Sequence, residues 1–237
     1  MSKDLFIDPL FVELLGAFIG DGWIEKRGSA LYICGSPTED KWHYDTFIAP
    51  VFSKYFAPVN PKLFPYWGVY GIVSYKKAII KKALSLGFHS GDKARCVSFP
   101  QEVLDAKAPE IFKAAIRGVF DTDGSFHTNK QRYANNRIIY HGRISIALAS
   151  KSLFDQLLVL FSKVGFSCRT SFSPKRRTCN RNNSASYRLM INKQSEVDRF
   201  FVEVGTNNLR HASRYLFFKK YGYIPADSSV DTRLALL

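Results

Sequence analysis

The feature that most constrains this chain is an internal repeat. Leu14-Leu15-Gly16-Ala17-Phe18-Ile19-Gly20-Asp21-Gly22 is answered 102 residues later by Ile116-Arg117-Gly118-Val119-Phe120-Asp121-Thr122-Asp123-Gly124. Both copies carry Gly at the third place and end in Asp-Gly. Self-similarity decides architecture before local propensity does, and at this spacing it describes one unit built twice. Each copy follows a helix-start signal: Asp8-Pro9 offers an N-cap and a proline at the first helical position, and Ala108-Pro109 offers the proline. Each copy ends at a glycine suited to close a helix, Gly22 and Gly124.

The order after each copy is also shared. A strand region (23–34 and 125–149) precedes a helix (41–56 and 152–164), then further strands (66–74 and 166–191) and a helix (76–87 and 195–205). Arg143 to Leu148, Phe166 to Phe172, Ser186 to Asn192 and Ser125 to Asn129 alternate apolar with polar residues, the period of half-buried strands. The fold class is therefore α+β, with two similar halves, 1–103 and 104–237, joined between Phe99-Pro100 and Ala108-Pro109.

Gly16 and Gly20, answered by Gly118 and Thr122, put a small-residue stripe on each motif helix. Such stripes permit close backbone approach. Helices packed through them bring their C-terminal ends together and set Asp21 beside Asp123. Two carboxylates where the helix dipole is already negative repel unless a cation lies between them, which points to a divalent-metal site between the halves. Asp-Gly alone is common in turns; its recurrence behind two glycine-striped helices favours the site.

Composition says what the partner is. Lys and Arg number 34 against 20 Asp and Glu, a net charge of +14, and such a balance calls for a polyanion. No apolar run approaches the roughly 18 residues of a membrane helix, and the start lacks the apolar segment of a secretory signal, so an intracellular, soluble protein without a membrane partner is expected. The four cysteines have no paired spacing and read as reduced thiols. Between Asp123 and Glu196 thirteen Lys and Arg face a single acid, Asp155. Interleaved Asn, Gln, His and Tyr make this stretch a nucleic-acid face, built on strands that suit the major groove. The expected contacts are Arg27, Ser125, His127, Asn129, Gln131, Arg132 and Arg143, continued by Ser145, Arg169, Ser171, Lys175, Arg177 and Arg188. His43, His89 and His141 read as surface or core residues, and Trp23, Tyr66, Trp67 and Tyr70 suit either packing or stacking on sugars and bases. The segment 222–237 carries no motif and is expected to dock on the core or stay mobile.

The two repeat copies resemble the signature helices of the LAGLIDADG homing endonucleases, in the single-chain form that carries both. The resemblance spans nearly the whole chain. It implies two pseudo-symmetric αββαββα halves, a central two-helix interface, and saddle-shaped antiparallel sheets in the major groove of a long asymmetric DNA site. It implies that Asp21 and Asp123 bind Mg²⁺ or Mn²⁺ and act at the scissile phosphates, with backbone carbonyls of Gly20 and Thr122 completing the shell and Ca²⁺ supporting binding without cleavage. Asp121 has no acidic counterpart in the first copy and is not counted as a ligand. A basic residue near each half's end is implied: Lys93 in Gly91-Asp92-Lys93-Ala94-Arg95, and Arg210 or His211 in the second half. Ser36 and Ser150 stand where many members carry a polar residue at a central strand's end. The implied function is a monomeric, site-specific double-strand DNA endonuclease. An intron RNA maturase, or a non-cleaving DNA-binding protein, on the same scaffold is the alternative.

Overall fold

The computed structural model describes residues 3–91, 95–133, 136–174, 176–178, 181–183, 185–225 and 228–237, with the backbone alone at 3, 176–178 and 181–183. After a 3₁₀ turn at Lys3–Ile7, helix α1 runs Pro9–Asp21 and passes directly into strand β1, Gly22–Ile24. Strand β2 (Leu31–Gly35) is followed by a continuous helical rod: α2 (Lys41–His43), a π-helical turn (Tyr44–Ile48) and α3 (Ala49–Tyr55). Strands β3 (Lys62–Phe64) and β4 (Val69–Ser74) lead to α4 (Lys77–Ser85) and the short α5 (Gln101–Asp105). The second half repeats the plan: α6 (Pro109–Asp123), β5 (Gly124–Arg132), β6 (Ile138–Leu148), α7 (Lys151–Lys163) and β7 (Arg169–Ser173). It continues through a ribbon of β8 (Arg176–Thr178) and β9 (Arg181–Asn183) to β10 (Ser186–Ile191), α8 (Gln194–Glu203), α9 (Leu209–Tyr221) and α10 (Val230–Leu236).

The two four-stranded sheets have corresponding orders, β1-β2-β4-β3 and β5-β6-β10-β7, and every pairing is antiparallel. One face of each turns inward: Ile24, Leu31, Ile33 and Ile72 in the first sheet, Phe126, Ile144, Ile146 and Leu189 in the second. These side chains share one core with α1 and α6 and with the flanking helices, among them Phe52 of α3, Leu157 of α7 and Phe200 of α8, because alternation gives each strand an apolar side that helices must cover.

The glycine stripe is where α1 and α6 meet. A β-carbon on Gly118 would lie 2.2 Å from the Glu13 carbonyl oxygen, one on Gly16 3.0 Å from the Ala115 carbonyl oxygen, and one on Gly20 2.1 Å from Thr122 Oγ1. At the start of α1 the Asp8 side chain accepts from the Leu10 amide at 3.0 Å, with Pro9 at the first helical position. Gly22 and Gly124 end their helices differently from the left-handed closure the sequence suggests. Their backbones are extended (φ −89° and −82°), and a β-carbon would fall 2.1 Å from the Phe18 ring and 2.3 Å from the Phe120 ring. Glycine is required for room, since the chain turns straight from helix into strand over a buried phenylalanine.

The C-terminal segment is docked. Arg233 on α10, 1% exposed, donates from Nε to Ser213 Oγ at 3.0 Å and from Nη2 to Glu39 Oε2 at 3.2 Å, tying the last helix to α9 and to the first half. Cys34 and Cys168 are free thiols; Cys179 lies outside the described residues. Among the described residues no helix is long and apolar enough to cross a membrane.

Candidate active site and nucleic-acid interface

Asp21 and Asp123 are the last residues of α1 and α6, so the glycine contact that joins the helices also carries both carboxylates to one place. The Asp123 carboxyl carbon lies 3.3 Å from where a Gly20 β-carbon would stand. Asp21 is half-buried and Asp123 exposed. Tyr44, from the π-helical turn, donates its hydroxyl to Asp21 Oδ2 at 2.8 Å, and Gly35 at the end of β2 passes close to the same oxygen, leaving no room for a larger side chain. Burial pushes the Asp21 carboxyl up to about 7; the negative charges of Asp123 and Asp40 add to the rise, and the Tyr44 hydrogen bond and Arg210 oppose it. A cavity of about 260 Å³ opens beside Asp123, lined by Gly20, Val97, Leu148 and Ser150.

Arg210 reaches this place from the first turn of α9, whose N-cap Asn208 accepts from the Arg210 amide at 2.9 Å. Its Nη2 donates to the carbonyls of Asp121 and Thr122, both at 3.1 Å, and its Nη1 pairs with Asp40 at 3.2 Å. A guanidinium capping the carbonyl end of α6 offsets the negative pole there. His211 lies behind it in the core, fully buried, with its Nε2 3.3 Å from Arg210 Nη2 and its ring 4.3 Å from that of Phe120. Lys93 lies outside the described residues. Ser36 closes a local turn, its Oγ accepting from the Glu39 amide, while its own amide donates to Asp40 at 2.9 Å. Ser150 caps α7: its Oγ accepts from the Leu153 amide at 3.2 Å and donates to the Val97 carbonyl at 2.7 Å. Ser150→Ala is therefore expected to lower stability by about 1–2 kcal/mol, read from the denaturant midpoint at constant slope.

Behind the carboxylates lies a buried polar network that the sequence does not announce. Glu13, 1% exposed, pairs with Arg117 at 2.6 Å and accepts from Asn207 Nδ2. Asp121, equally buried, accepts from Thr206 Oγ1 and from the Asn207 amide at 2.8 Å. It thus pins the loop before α9 to the motif helix. Burial raises both carboxyls, Asp121 to about 8 with the Glu13 charge contributing and Glu13 against the pull of Arg117. A folded-state pKa above the unfolded one means stability that is complete at low pH and lost as pH climbs through about 8. In EDTA the melting temperature should fall by about 4 °C per pH unit between about pH 5 and pH 8 and level off above that, where the carboxyl is ionised in both states. Asp121→Asn should flatten that slope; an equal slope in the variant would place the titration elsewhere. His43 is buried too, donating from Nδ1 to the Asn207 carbonyl at 3.2 Å, and burial drives its pKa down to about 4, so it is a neutral core residue. The available signals were Glu13 inside the otherwise apolar α1 and Arg117 between the apolar Ile116 and the Gly118 of the second motif copy; for Tyr44 and Asp40 there was none.

On the second sheet the outward face gathers most of the expected contacts. His127 pairs across from Arg143 and Ser125 from Ser145, with the two serine hydroxyls 2.9 Å apart. Arg188 lies between Ala147 and Ser171, and Arg169 beside Met190. With its amide oxygen turned to the guanidinium, Asn129 accepts from Arg143 at 2.7–3.0 Å and fixes where that side chain points. Burial and the cations Arg143, Arg188 and Arg214 hold the His127 imidazole below its ordinary value. Gln131 shares this face by alternation. Arg132 does not: the two-residue period leaves it on the side of Phe126, at the exposed end of β5. Arg27 sits exposed in the β1–β2 turn. Lys175 lies outside the described residues, and Arg177 is placed on β8 by its backbone alone.

Residues 111–205 match the family model of the LAGLIDADG-like domain. Among solved structures, the chain is similar to meganuclease I-SmaMI bound to uncleaveable DNA, at 9% identity over 88% of each chain with TM-score 0.57. It is similar to LAGLIDADG meganuclease I-AabMI bound to uncleaved DNA, at 11% identity over 91% of this chain and 90% of that one with TM-score 0.56. The I-SmaMI LAGLIDADG homing endonuclease bound to cleaved DNA matches at 9% identity over 90% and 88%, with TM-score 0.54. No curated protein matches the chain by sequence. The second half thus matches a LAGLIDADG-like domain over residues 111–205, and the chain as a whole has the fold of the LAGLIDADG meganucleases.

Proposed function

We propose that this chain is a site-specific, divalent-metal-dependent endonuclease that hydrolyses both strands of a long, asymmetric DNA site, working as a monomer of two units, 1–103 and 104–237. The observation that carries the reading is the convergence of Asp21 and Asp123 at the abutting ends of α1 and α6. The donor set suits Mg²⁺ or Mn²⁺. It consists of oxygens alone, which fits a hard cation held by one or two carboxylates plus water and phosphate. Asp21 and Asp123 would hold it with the Gly20 carbonyl; the Thr122 carbonyl already accepts Arg210, so a metal there would share it with a guanidinium. When bound, the cation supplies Lewis acidity at the phosphate and an acidified water. Tyr44 fixes the rotamer of Asp21, and Arg210 sets positive charge at the end of α6, where anionic DNA must approach. Lys93 is proposed for the first half on the resemblance alone.

The basic face supports DNA as the substrate. I-SmaMI has been crystallised on uncleaved DNA in the presence of calcium ions and on cleaved DNA, and the same pattern, Ca²⁺ permitting binding but not cutting, is proposed here. The test is incubation of the purified protein with a randomised site library in Mg²⁺, Ca²⁺ and EDTA. A discrete double-strand break in Mg²⁺ alone supports the reading, and specific retention without breakage in any metal would replace it with a binding protein or maturase. Arg143→Ala and Arg169→Ala should each weaken binding and reduce the slope of log K against log salt by about 1; an unchanged slope would put the residue away from phosphates.

A further inference from the structure

The two sheets share a topology but present different surfaces. The outward side of the second carries Arg143, Arg169 and Arg188 among serines. The outward side of the first is apolar: Trp23, Tyr32, Cys34, Phe64, Val69 and Val73 form a cluster separate from the main core. The β3–β4 turn folds over it, so that Trp67 packs on Phe64 (5.9 Å, 24°) and meets Tyr32 (5.5 Å, 78°) and Trp23 (5.8 Å, 67°) edge-on. Trp67 remains 49% and Tyr75 61% exposed. Exposed cations rim the cluster, Lys26, Arg27, Lys62, Lys76 and Lys77, with the Lys62 ammonium 5.3 Å from the Phe64 ring.

An apolar centre within a cationic rim complements a polyanion that offers apolar groups inside its charged backbone. The face is also continuous with the proposed DNA surface, since β1 leaves Asp21 as β5 leaves Asp123 and the strand orders correspond. Unpaired bases would need free ring faces on which to stack. Here Trp23 lies on Tyr32 (4.4 Å, 16°) and Phe64 on Trp67, so each of these rings already gives one face to a neighbour within the sheet. The rings and the aliphatic tips of Val69 and Val73 lie on the strands of a paired sheet facing a duplex, where the one apolar group the major groove offers them is the thymine methyl. We propose that the first sheet reads its half of the DNA site through thymine 5-methyl groups, whereas the second reads its half by hydrogen bonds from arginines. This rests on the DNA-binding part of the function proposed above and is independent of cleavage.

The test uses the duplex that the full-length protein selects from a randomised library in Ca²⁺, remade with deoxyuridine replacing each thymidine in turn, which removes the methyl alone. Sensitive positions should fall in one half-site, each weakening binding about fourfold, the worth of one buried methyl-sized group. Trp67→Ala should bind the thymidine and deoxyuridine duplexes equally at those positions, while Arg143→Ala keeps the deoxyuridine effect and loses affinity through the other half. Silence of deoxyuridine throughout, sensitivity spread over both halves, or an undiminished effect in Trp67→Ala would overturn the inference while leaving the nuclease reading standing. A deoxyuridine pattern as expected on a duplex that is never cut would overturn the nuclease reading alone. Selection of no duplex would overturn both.

Discussion

Asp21→Asn is expected to cut double-stranded DNA about a thousandfold more slowly than the parent chain in Mg²⁺, and Asp123→Asn likewise, the scale seen when a group stabilising transition-state charge is removed. The amide keeps the shape of the carboxylate, and its oxygen can still accept from Tyr44 at position 21, so the helix ends stay where they are. What disappears is one of two charges whose mutual repulsion contributes to raising Asp21 to about 7. Each variant should therefore melt no lower than the parent in EDTA and bind target DNA as tightly or more tightly without metal. Loss of cutting together with an equal loss of binding in both variants would remove these residues from the chemistry and make them parts of the DNA contact.

Gly118→Ala should be strongly destabilising, because the methyl has nowhere to go between the two motif helices. The added carbon would stand 2.2 Å from the Glu13 carbonyl oxygen and 2.9 Å from the Ala17 amide nitrogen, both backbone atoms of α1 that no rotamer can move. Relief requires α1 and α6 to separate, which opens the shared core and draws Asp21 away from Asp123. Overpacking of this kind costs about 3 kcal/mol or more, a large part of a typical domain's stability. Urea midpoints should show it as a shift at constant slope, or as failure to fold. Gly165→Ala is the control: its β-carbon meets nothing within 4 Å, and its positive φ of 79° costs only local strain. Equal effects at the two positions would mean that the helix contact is not the keystone.

The legible parts of this molecule were those written in short-range pattern. The repeated Gly-x-x-x-Gly and Gly-x-x-x-Thr stripes foretold that α1 and α6 abut, and the alternation of Arg143 to Leu148 foretold which side of β6 faces the core. Other features depend on distance in the chain and leave no local trace. Tyr44 finds Asp21 because a π-helical turn packs against the end of α1, and Asn207 joins Glu13 across 194 residues. Gly22 and Gly124 were recognisable as helix ends, yet their physical reason, a phenylalanine ring beneath the turn, exists only in three dimensions. Arg132 shows the limit of charge counting: a cation in a basic stretch need not lie on the basic face, because the strand period decides.

The most direct test is a structure of the protein on its target duplex grown with Mn²⁺ and recorded at the manganese edge. The account predicts anomalous density between the Asp21 and Asp123 carboxylates, with carboxylate oxygens at about 2.1 Å and a scissile phosphate oxygen in the same shell. Density that touches neither carboxylate, with DNA seated on both sheets, would contradict it.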